Sequence, residues 1–362
     1  MQMWAIATLE AFWYTLNDTI IYQILQVIDV GGAISIHEFG AYFGLACSIF
    51  YQRKKAVEDQ HKQCGGSYYS QYLAVIGTFF LFLYWPSFNG AVASGSPQLR
   101  AIINTVLSIT SSTLSSLFIS VLIYGKLDAE ILLNSTLAGG VAVGAGADII
   151  VKPYYAMICG WVTGAVSALG YTHIGKFLTS KFSIHDTCGV HNLHGMPGII
   201  GGVIAAIATN QQAVRTFGDR YDYHYGDVVL DRSPAEQSGM QIAAVGVSLG
   251  IALLTGAFTG FVCSLGIFQP PEVLFDDREI FKDVKYPHIN GNFGNREDYR
   301  NDNDNEEEKA RDSFRHSHKD ELERKRSKID QDNHERNGGE GFEEEVDPNK
   351  SKKEGPGDVA YQ

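Results

Sequence analysis

Two segments of this sequence carry an aspartate, a glycine and a histidine at the same spacing. The pattern Asp-x-x-Gly-x4-His begins at Asp29 and again at Asp186, so its two histidines are His37 and His194. A neutral imidazole both donates and accepts hydrogen bonds, and a pair that shares a proton stays neutral overall. Such a pair in an apolar passage would favour a small, neutral, polar solute over a bare ion.

The aspartates of this pattern are expected to act on the backbone. Eight residues span roughly 12 Å along a regular helix, so neither Asp29 nor Asp186 can pair directly with its own histidine. We expect each carboxylate to accept hydrogen bonds from amides and hydroxyls that the neighbouring glycine frees. Pro197 and Gly198 indicate a further helix break behind His194.

The charged residues are concentrated at one end of the chain. Residues 272–362 hold 26 of the 41 Asp and Glu and 17 of the 29 Lys and Arg. The remainder has about one charge in ten residues, which excludes an ordinary soluble enzyme. The net charge of −12 argues against nucleic-acid binding, and five widely spaced cysteines show neither a metal spacing nor a disulfide framework.

Long uncharged runs predict an all-α, polytopic transmembrane helix bundle, because a spanning helix needs roughly 20 apolar residues. The first motif lies in the second predicted span and the second motif in the seventh, so the two copies point in opposite directions. This is typical of an inverted repeat, and we expect His37 and His194 to meet near the bilayer midplane. The predicted spans are 3–16, 19–52, 70–93, 101–124, 130–150, 153–175, 185–208 and 239–268.

Two regions follow from these patterns: a transmembrane domain over 1–270 and a charged, disordered tail over 271–362. The tail is a solvated segment or a docking peptide for a cytoplasmic partner. The basic cluster Arg53, Lys54 and Lys55 favours a cytoplasmic loop there, which makes both termini cytoplasmic.

Four stretches of sequence carry a resemblance to a known family. They are His185–Gly202, Ile36–Leu45, Tyr84–Asn89 and Asn134–Gly144. Together they resemble the Rh glycoproteins, of the non-erythroid epithelial type, in the ammonium transporter superfamily. The similarity runs from about residue 3 to residue 270.

The resemblance implies a homotrimer in the plasma membrane, with one pore per subunit that passes ammonia after an ammonium ion gives up its proton. It requires no cofactor, and carbon dioxide is a second candidate solute. His37 and His194 match the family's twin histidines, and Asp29 and Asp186 match its structural acids, with Asp29 also a candidate for proton handling. Phe88 matches one of two phenylalanines that narrow the outer mouth. Asp18 matches the vestibule acid that gathers cations, although it also suits a helix cap.

The sequence departs from this family at three points. The family has eleven or twelve spans, and this chain starts at what resembles the fifth of twelve, so we expect its pore to need the first four. An acidic residue, Glu38, stands beside His37 where relatives have a small one. It would face the lumen and hold a cation, or face a neighbouring helix or subunit. His191 stands where relatives have an asparagine, three residues before His194.

Two other functions compete with transport. A membrane-embedded metalloenzyme would bind its metal through His37, His191, His194 and one acid, since residues three apart share a helix face. We favour a non-enzyme without a metal, because the pair His191 and His194 of the second motif copy has no counterpart in the first copy. A structural membrane subunit without transport is the third hypothesis, and ammonia flux separates it from the first.

We predict that neither of the two glycosylation acceptor sequences, at Asn17 and Asn134, is modified. Asn134 falls within a span and Asn17 at the membrane edge, where the modifying enzyme has poor access. Glycosidase treatment should leave the mass of the membrane-inserted chain unchanged. A mass shift that disappears in Asn17→Gln would contradict this.

Overall fold

A computed structural model describes residues 2–51, 68–182, 184, 186–211 and 232–268, and this part of the chain is built from helices and turns without β-strands. It confirms the predicted all-α bundle of apolar helices. The chain divides into two units, Met1–Lys282 and Asp283–Gln362, and every described residue belongs to the first. The predicted tail, 271–362, lies outside the described residues.

The described part contains nine α-helices and four π-helical segments. The α-helices are α1 Gln2–Asp18, α2 Phe39–Tyr51, α3 Tyr68–Gly90, α4 Gly95–Tyr124, α5 Ala129–Gly144, α6 Pro153–Leu169, α7 Gly175–Phe182, α8 Met196–Gln211 and α9 Pro234–Ser264. The π-helical segments are Thr19–Ile24 after α1, Ala33–Glu38 before α2, Gly170–Ile174 between α6 and α7, and His191–Gly195 before α8.

Local sequence explains where several helices begin. Asp128 caps α5 by accepting a hydrogen bond from the amide of Ile131 at 3.0 Å. Helix α9 begins with Pro234 and with a capping box, in which Ser233 and Glu236 satisfy each other's backbone amides. Both devices pair amides that the first helical turn leaves without a partner.

Five helical stretches in the described part are long and apolar enough to cross a membrane, fewer than the eight predicted. The predicted spans 3–16, 130–150 and 153–175 contain α-helices of only 17, 16 and 17 residues. The five longer stretches are Ala33–Phe50, Ser70–Gly90, Gly95–Tyr124, His191–Asn210 and Pro234–Ser264.

The prediction of one continuous span over 19–52 is wrong. The first helix continues through Thr19–Ile24, and helical structure resumes only at Ala33. Between them, Gln26 and Gly32 take positive φ angles of 50° and 67°, which no helix interior accommodates. The apolar sequence gives no sign of this break, because some of its backbone groups bond residues far away in the chain, as the amide of Gly31 does with the carbonyl of Gly144 at 2.9 Å.

Small residues bring helices α4, α5 and α6 into close contact. Gly139 of α5 faces Ser108 and Ser112 of α4, and Gly160 of α6 lies against the backbone of Ser108. The Ser108 hydroxyl donates to the carbonyl of Gly139 at 2.7 Å. Close backbone approach with hydroxyl bonds between helices is how helices associate in lipid, where burial of apolar surface gives little driving force.

Helix α9 packs against α2 in the same way. Gly256 of α9 lies against the carbonyl oxygen of Phe43, and Gly260 lies against that of Cys47. The α2–α9 and α4–α6 pairs are the most extensive helix contacts in the described chain. Helix α2 of the first pair follows directly on the segment that carries His37.

We predict that Gly160→Ala destabilises the bundle. Its methyl group would overlap the carbonyl oxygen of Ser108, at a cost of about 1–3 kcal/mol for overpacking. The matched control is Gly77→Ala on α3, where the added methyl group would meet nothing within 4 Å beyond its chain neighbours and its own helix backbone. The control should be neutral or up to ~1 kcal/mol more stable, since alanine favours helix. Thermal unfolding in detergent measures both, and equal melting temperatures would contradict this packing.

Candidate functional site

The structure brings the two motif histidines together. The rings of His37 and His194 have centroids 5.1 Å apart and planes inclined by only 8°. The Nε2 atom of His37 and the Nδ1 atom of His194 are buried and have no hydrogen-bond partner among the described residues. Both imidazoles therefore offer unused polar atoms at one point inside an apolar bundle.

The first motif holds its histidine through a carboxylate that binds the start of a helical segment. Oδ2 of Asp29 accepts hydrogen bonds from the amides of Ile34 at 3.1 Å and Ser35 at 2.8 Å. Gly32, between them, takes the left-handed conformation that lets the chain turn back over the carboxylate. His37 follows on the next turn, so its position depends on this cap.

The second motif repeats the arrangement. Asp186 accepts hydrogen bonds from the amides of Val190 at 2.9 Å and His191 at 2.8 Å. Gly189 has a φ of 68°, against 67° for Gly32 in the first copy. The expectation that both aspartates bind freed backbone amides therefore agrees with the hydrogen bonds of both copies.

Side chains of helix α9, and of Arg232 just before it, form hydrogen bonds with further backbone groups of the first helix break. These bonds were not predicted from the sequence. The side chain of Gln241 accepts from the amide of Ile28 at 2.7 Å and donates to its carbonyl at 2.6 Å. Gln237 donates to the carbonyl of Gln26 at 2.8 Å, and Arg232 to that of Leu25 at 2.7 Å. The pattern that could have predicted them is the set of polar residues at 237, 241 and 248 in an otherwise apolar helix.

Aromatic rings of α3 close one side of the histidine pair. Phe88 lies with its ring centroid 5.8 Å from that of His37, and Trp85 stacks on His37 at 5.6 Å with an interplanar angle of 17°. Asn89 fixes this end of α3 by donating to the hydroxyl of Thr105 and the carbonyl of Gly140, each at 3.0 Å. Trp85 lies in the Tyr84–Asn89 stretch, but nothing in the sequence marks it as a site residue.

Asp18 lies apart from the histidine pair, as the last residue of α1. The helical path continues past it into Thr19–Ile24, and its side chain makes no capping hydrogen bond, so the alternative that it begins a helix is wrong. The preceding residue, Asn17, is fully buried and donates to the carbonyl of Ser35 at 3.3 Å. Burial withholds this amide from a modifying enzyme more completely than a position at the membrane edge would.

A cavity of about 400 Å³ opens beside the second motif. Asp186, Gly189 and Asn192 of that motif form part of its wall, together with Lys176 and Glu130. Tyr171 also lines it and donates to the carbonyl of Gly189 at 3.0 Å. Charged side chains therefore surround a space that adjoins the segment carrying His194.

Among the residues that the structure describes, the histidines do not form a metal cluster. Over the described part of the chain, no three His, Cys, Asp or Glu side chains lie close enough together to hold a metal ion. His194 faces His37, whereas the ring of His191 contacts Tyr42 edge to face at 5.7 Å. The histidines that a metalloenzyme would use as ligands are thus divided between two places, His37 and His194 at one and His191 at the other.

Broken helices that carry buried ionisable groups into the middle of an apolar bundle define a membrane transport protein or channel. The chain belongs to the ammonium transporter family, whose model matches residues 3–284. This is a family of transporters and not of enzymes, and the resemblance to the Rh glycoproteins is confirmed by the relatives of the chain.

Two curated relatives are ammonium transporters of Rh type. The Rh type B protein of Oryzias latipes is 37% identical over 302 residues, which cover 82% of this chain and 64% of the relative. The Rh type C protein of Xenopus laevis is 39% identical over 285 residues, covering 76% of this chain and 60% of the relative. The chain thus spans less than two thirds of the length of either protein.

Among solved structures, the chain is similar to Rh50 of Nitrosomonas europaea, described as one of the Rhesus protein family of channels. The two share 27% sequence identity with a TM-score of 0.63, over 85% of this chain and 72% of the other. This similarity supports the same bundle of membrane helices for both.

The two capping aspartates should respond differently to amide substitution. Each oxygen of Asp186 accepts one amide, whereas Asp29 uses only Oδ2 for both. Asp186→Asn must direct its NH2 group at a backbone amide, with an expected loss of about 1–3 kcal/mol. Asp29→Asn keeps an oxygen in place and should lose less.

Asp128→Asn is the matched control, because asparagine caps a helix as well as aspartate does. It should leave the melting temperature in detergent unchanged. If Asp186→Asn were as stable as the control, the two hydrogen bonds that Asp186 accepts would not stabilise the second motif.

Proposed function

We propose that this chain forms the conduction pathway of an ammonium transporter. Ammonium is recruited at an outer vestibule and gives up a proton, and ammonia passes the apolar interior along His37 and His194. The observation that carries the proposal is the close, nearly parallel pair of imidazoles with unpaired ring nitrogens at the centre of the bundle. Membership of the ammonium transporter family supports the same substrate.

The chemistry of the pair suits a neutral solute. An unpaired buried polar group costs about 1–3 kcal/mol, which a passing molecule offsets by hydrogen bonding to it. Ammonia both donates and accepts, so it can bind imidazole in either tautomer. A bare ammonium ion would pay a much larger desolvation cost in the same place. Carbon dioxide is the second candidate solute, as it is neutral and apolar enough to follow the same path.

The remaining residues take supporting roles in this proposal. Phe88 narrows the approach to His37, supported by the 5.8 Å contact between their rings. Asp18 recruits ammonium at the vestibule. Asp29 and Asp186 fix the two histidine segments, and the buried position of Asp29 also suits proton handling. The working unit is a homotrimer in the plasma membrane, with both termini cytoplasmic.

The test is ammonia flux in a host without its own ammonium transporters. His37→Ala and His194→Ala should each lower the flux on the order of fivefold, corresponding to one lost hydrogen bond of about 1 kcal/mol. His173→Ala is the control, because His173 is exposed and bonds the hydroxyl of its neighbour Thr172. Replacing either twin histidine by Glu should instead admit charge.

The assay compares the chain by itself with the chain preceded by the first four spans of a relative, and we expect flux from the longer protein. Abundance in the membrane is measured alongside. A double His→Ala protein that conducts ammonia at the parent rate and is equally abundant would contradict the role of the pair. An abundant longer protein without any flux would favour the structural subunit.

A further inference from the structure

Glu38 is a buried carboxyl group without a bonding partner. It follows His37 directly and has 0% of its surface exposed. Neither Oε1 nor Oε2 has a hydrogen-bond partner among the described residues. An unpaired carboxylate in lipid is so costly that this group must bind a proton or a cation.

The two motif copies differ at this position. The residue after His37 is Glu38, and the residue after His194 is Gly195. A methyl group on Gly198 of α8 would lie 2.9 Å from Cβ of Glu38, so the helix that follows the second copy packs directly against this residue. The carboxyl group therefore stands on one side only of an otherwise repeated histidine pair.

A short series of titratable groups leads away from Glu38. Tyr42 stands one helical turn further along α2, close enough for its hydroxyl to interact electrostatically with Glu38. The ring of Tyr42 contacts that of His191 at 5.7 Å. The carboxyl group of Asp29 also interacts electrostatically with Glu38, and the facing residue of α8, Gly198, has no titratable side chain.

The series ends at the cavity beside the second motif. The amide of His191 is bound by Asp186, and Asp186 lines the cavity of about 400 Å³. Acid, phenol and imidazole side chains thus lie one after another from Glu38 to His191, and Asp186, which interacts electrostatically with His191, lines the cavity. Chains of Asp, Glu and His inside a membrane are typical of proton relays.

We propose that Glu38 is a proton-binding site beside the twin histidines, and that Tyr42 and His191 connect it to the Asp186 cavity. This inference rests on the proposed function. An ammonium ion that transfers one proton to the Glu38 carboxylate leaves neutral ammonia and a neutral carboxylic acid, so charge is conserved in the step. The proton then leaves by way of Tyr42 and His191, while ammonia continues past His37 and His194.

Labelling tests the site independently of transport. Dicyclohexylcarbodiimide is an apolar reagent that adds to protonated carboxyl groups in membranes, and peptide mass spectrometry locates the adduct. Glu38 should be labelled at neutral pH, increasingly so as the pH falls, and ammonium chloride should protect it. Glu10 of α1 is the internal comparison, since it is only partly buried, and it should not be protected. A Glu38 that stays unlabelled would overturn the proposal.

Transport by Glu38→Gln tests the relay. Glutamine keeps the size of the side chain, but its amide neither binds nor releases a proton as an acid or base at neutral pH. Charge movement on a solid-supported membrane should be lost, while ammonia uptake measured by internal pH persists. Tyr42→Phe, which removes only the hydroxyl, should reduce the charge movement. The control is Glu10→Gln, for which both signals should match the parent.

The outcomes separate the two proposals. Suppose that the parent protein shows no ammonia flux, but that its Glu38 is labelled and ammonium protects it. This result would contradict the proposed conduction pathway and would still support the proton site at Glu38. Normal flux together with an unchanged charge movement in Glu38→Gln would overturn the relay alone. The melting temperature of Glu38→Gln, equal to that of the parent, excludes misfolding as the cause of a lost signal.

Discussion

Every backbone group in this bundle must find a partner inside the protein, because lipid offers none. The histidine site exists because that requirement is met at two places where the helical path is interrupted. Asp29 and Asp186 bind the amides that open the next helical segment, and Gln241 binds both polar groups of Ile28. With the breaks satisfied, two segments can enter the bundle and present an imidazole each.

The same requirement explains which parts of the fold were predictable. Charge depletion and apolar length identify membrane helices directly, and the repeated Asp-x-x-Gly-x4-His pattern identified the residues that meet. The break over 25–32 was not predictable from hydropathy. Its backbone is satisfied by Gln237 and Gln241 more than 200 residues away, and no local pattern records a partner at that distance.

The two histidines of the site were predictable from the sequence, whereas most of the residues around them were not. His37 and His194 occupy equivalent positions in a repeat, so the repeat itself places them together. Trp85 and Tyr42 contact the histidines through tertiary packing alone, and nothing in their spacing relates them to either motif. Glu38 stood out by its charge, but only its complete burial in the fold, with Gly198 of α8 against its Cβ, shows that it lies inside the protein and not at the lipid surface.

The serines of α4 have a mechanical consequence. Ser108 and Ser111 donate to carbonyls of two different helices, at Gly139 and Met157, each over 2.7 Å, and Asn104 reaches Ala147 and Ile150. Sliding α4 by a single residue would break all of these bonds at once, so α4, α5 and the start of α6 act as a rigid frame. Any opening or closing around the histidines must therefore come from rotation of side chains or from the segments outside that frame, and not from a helix that slides past its neighbours.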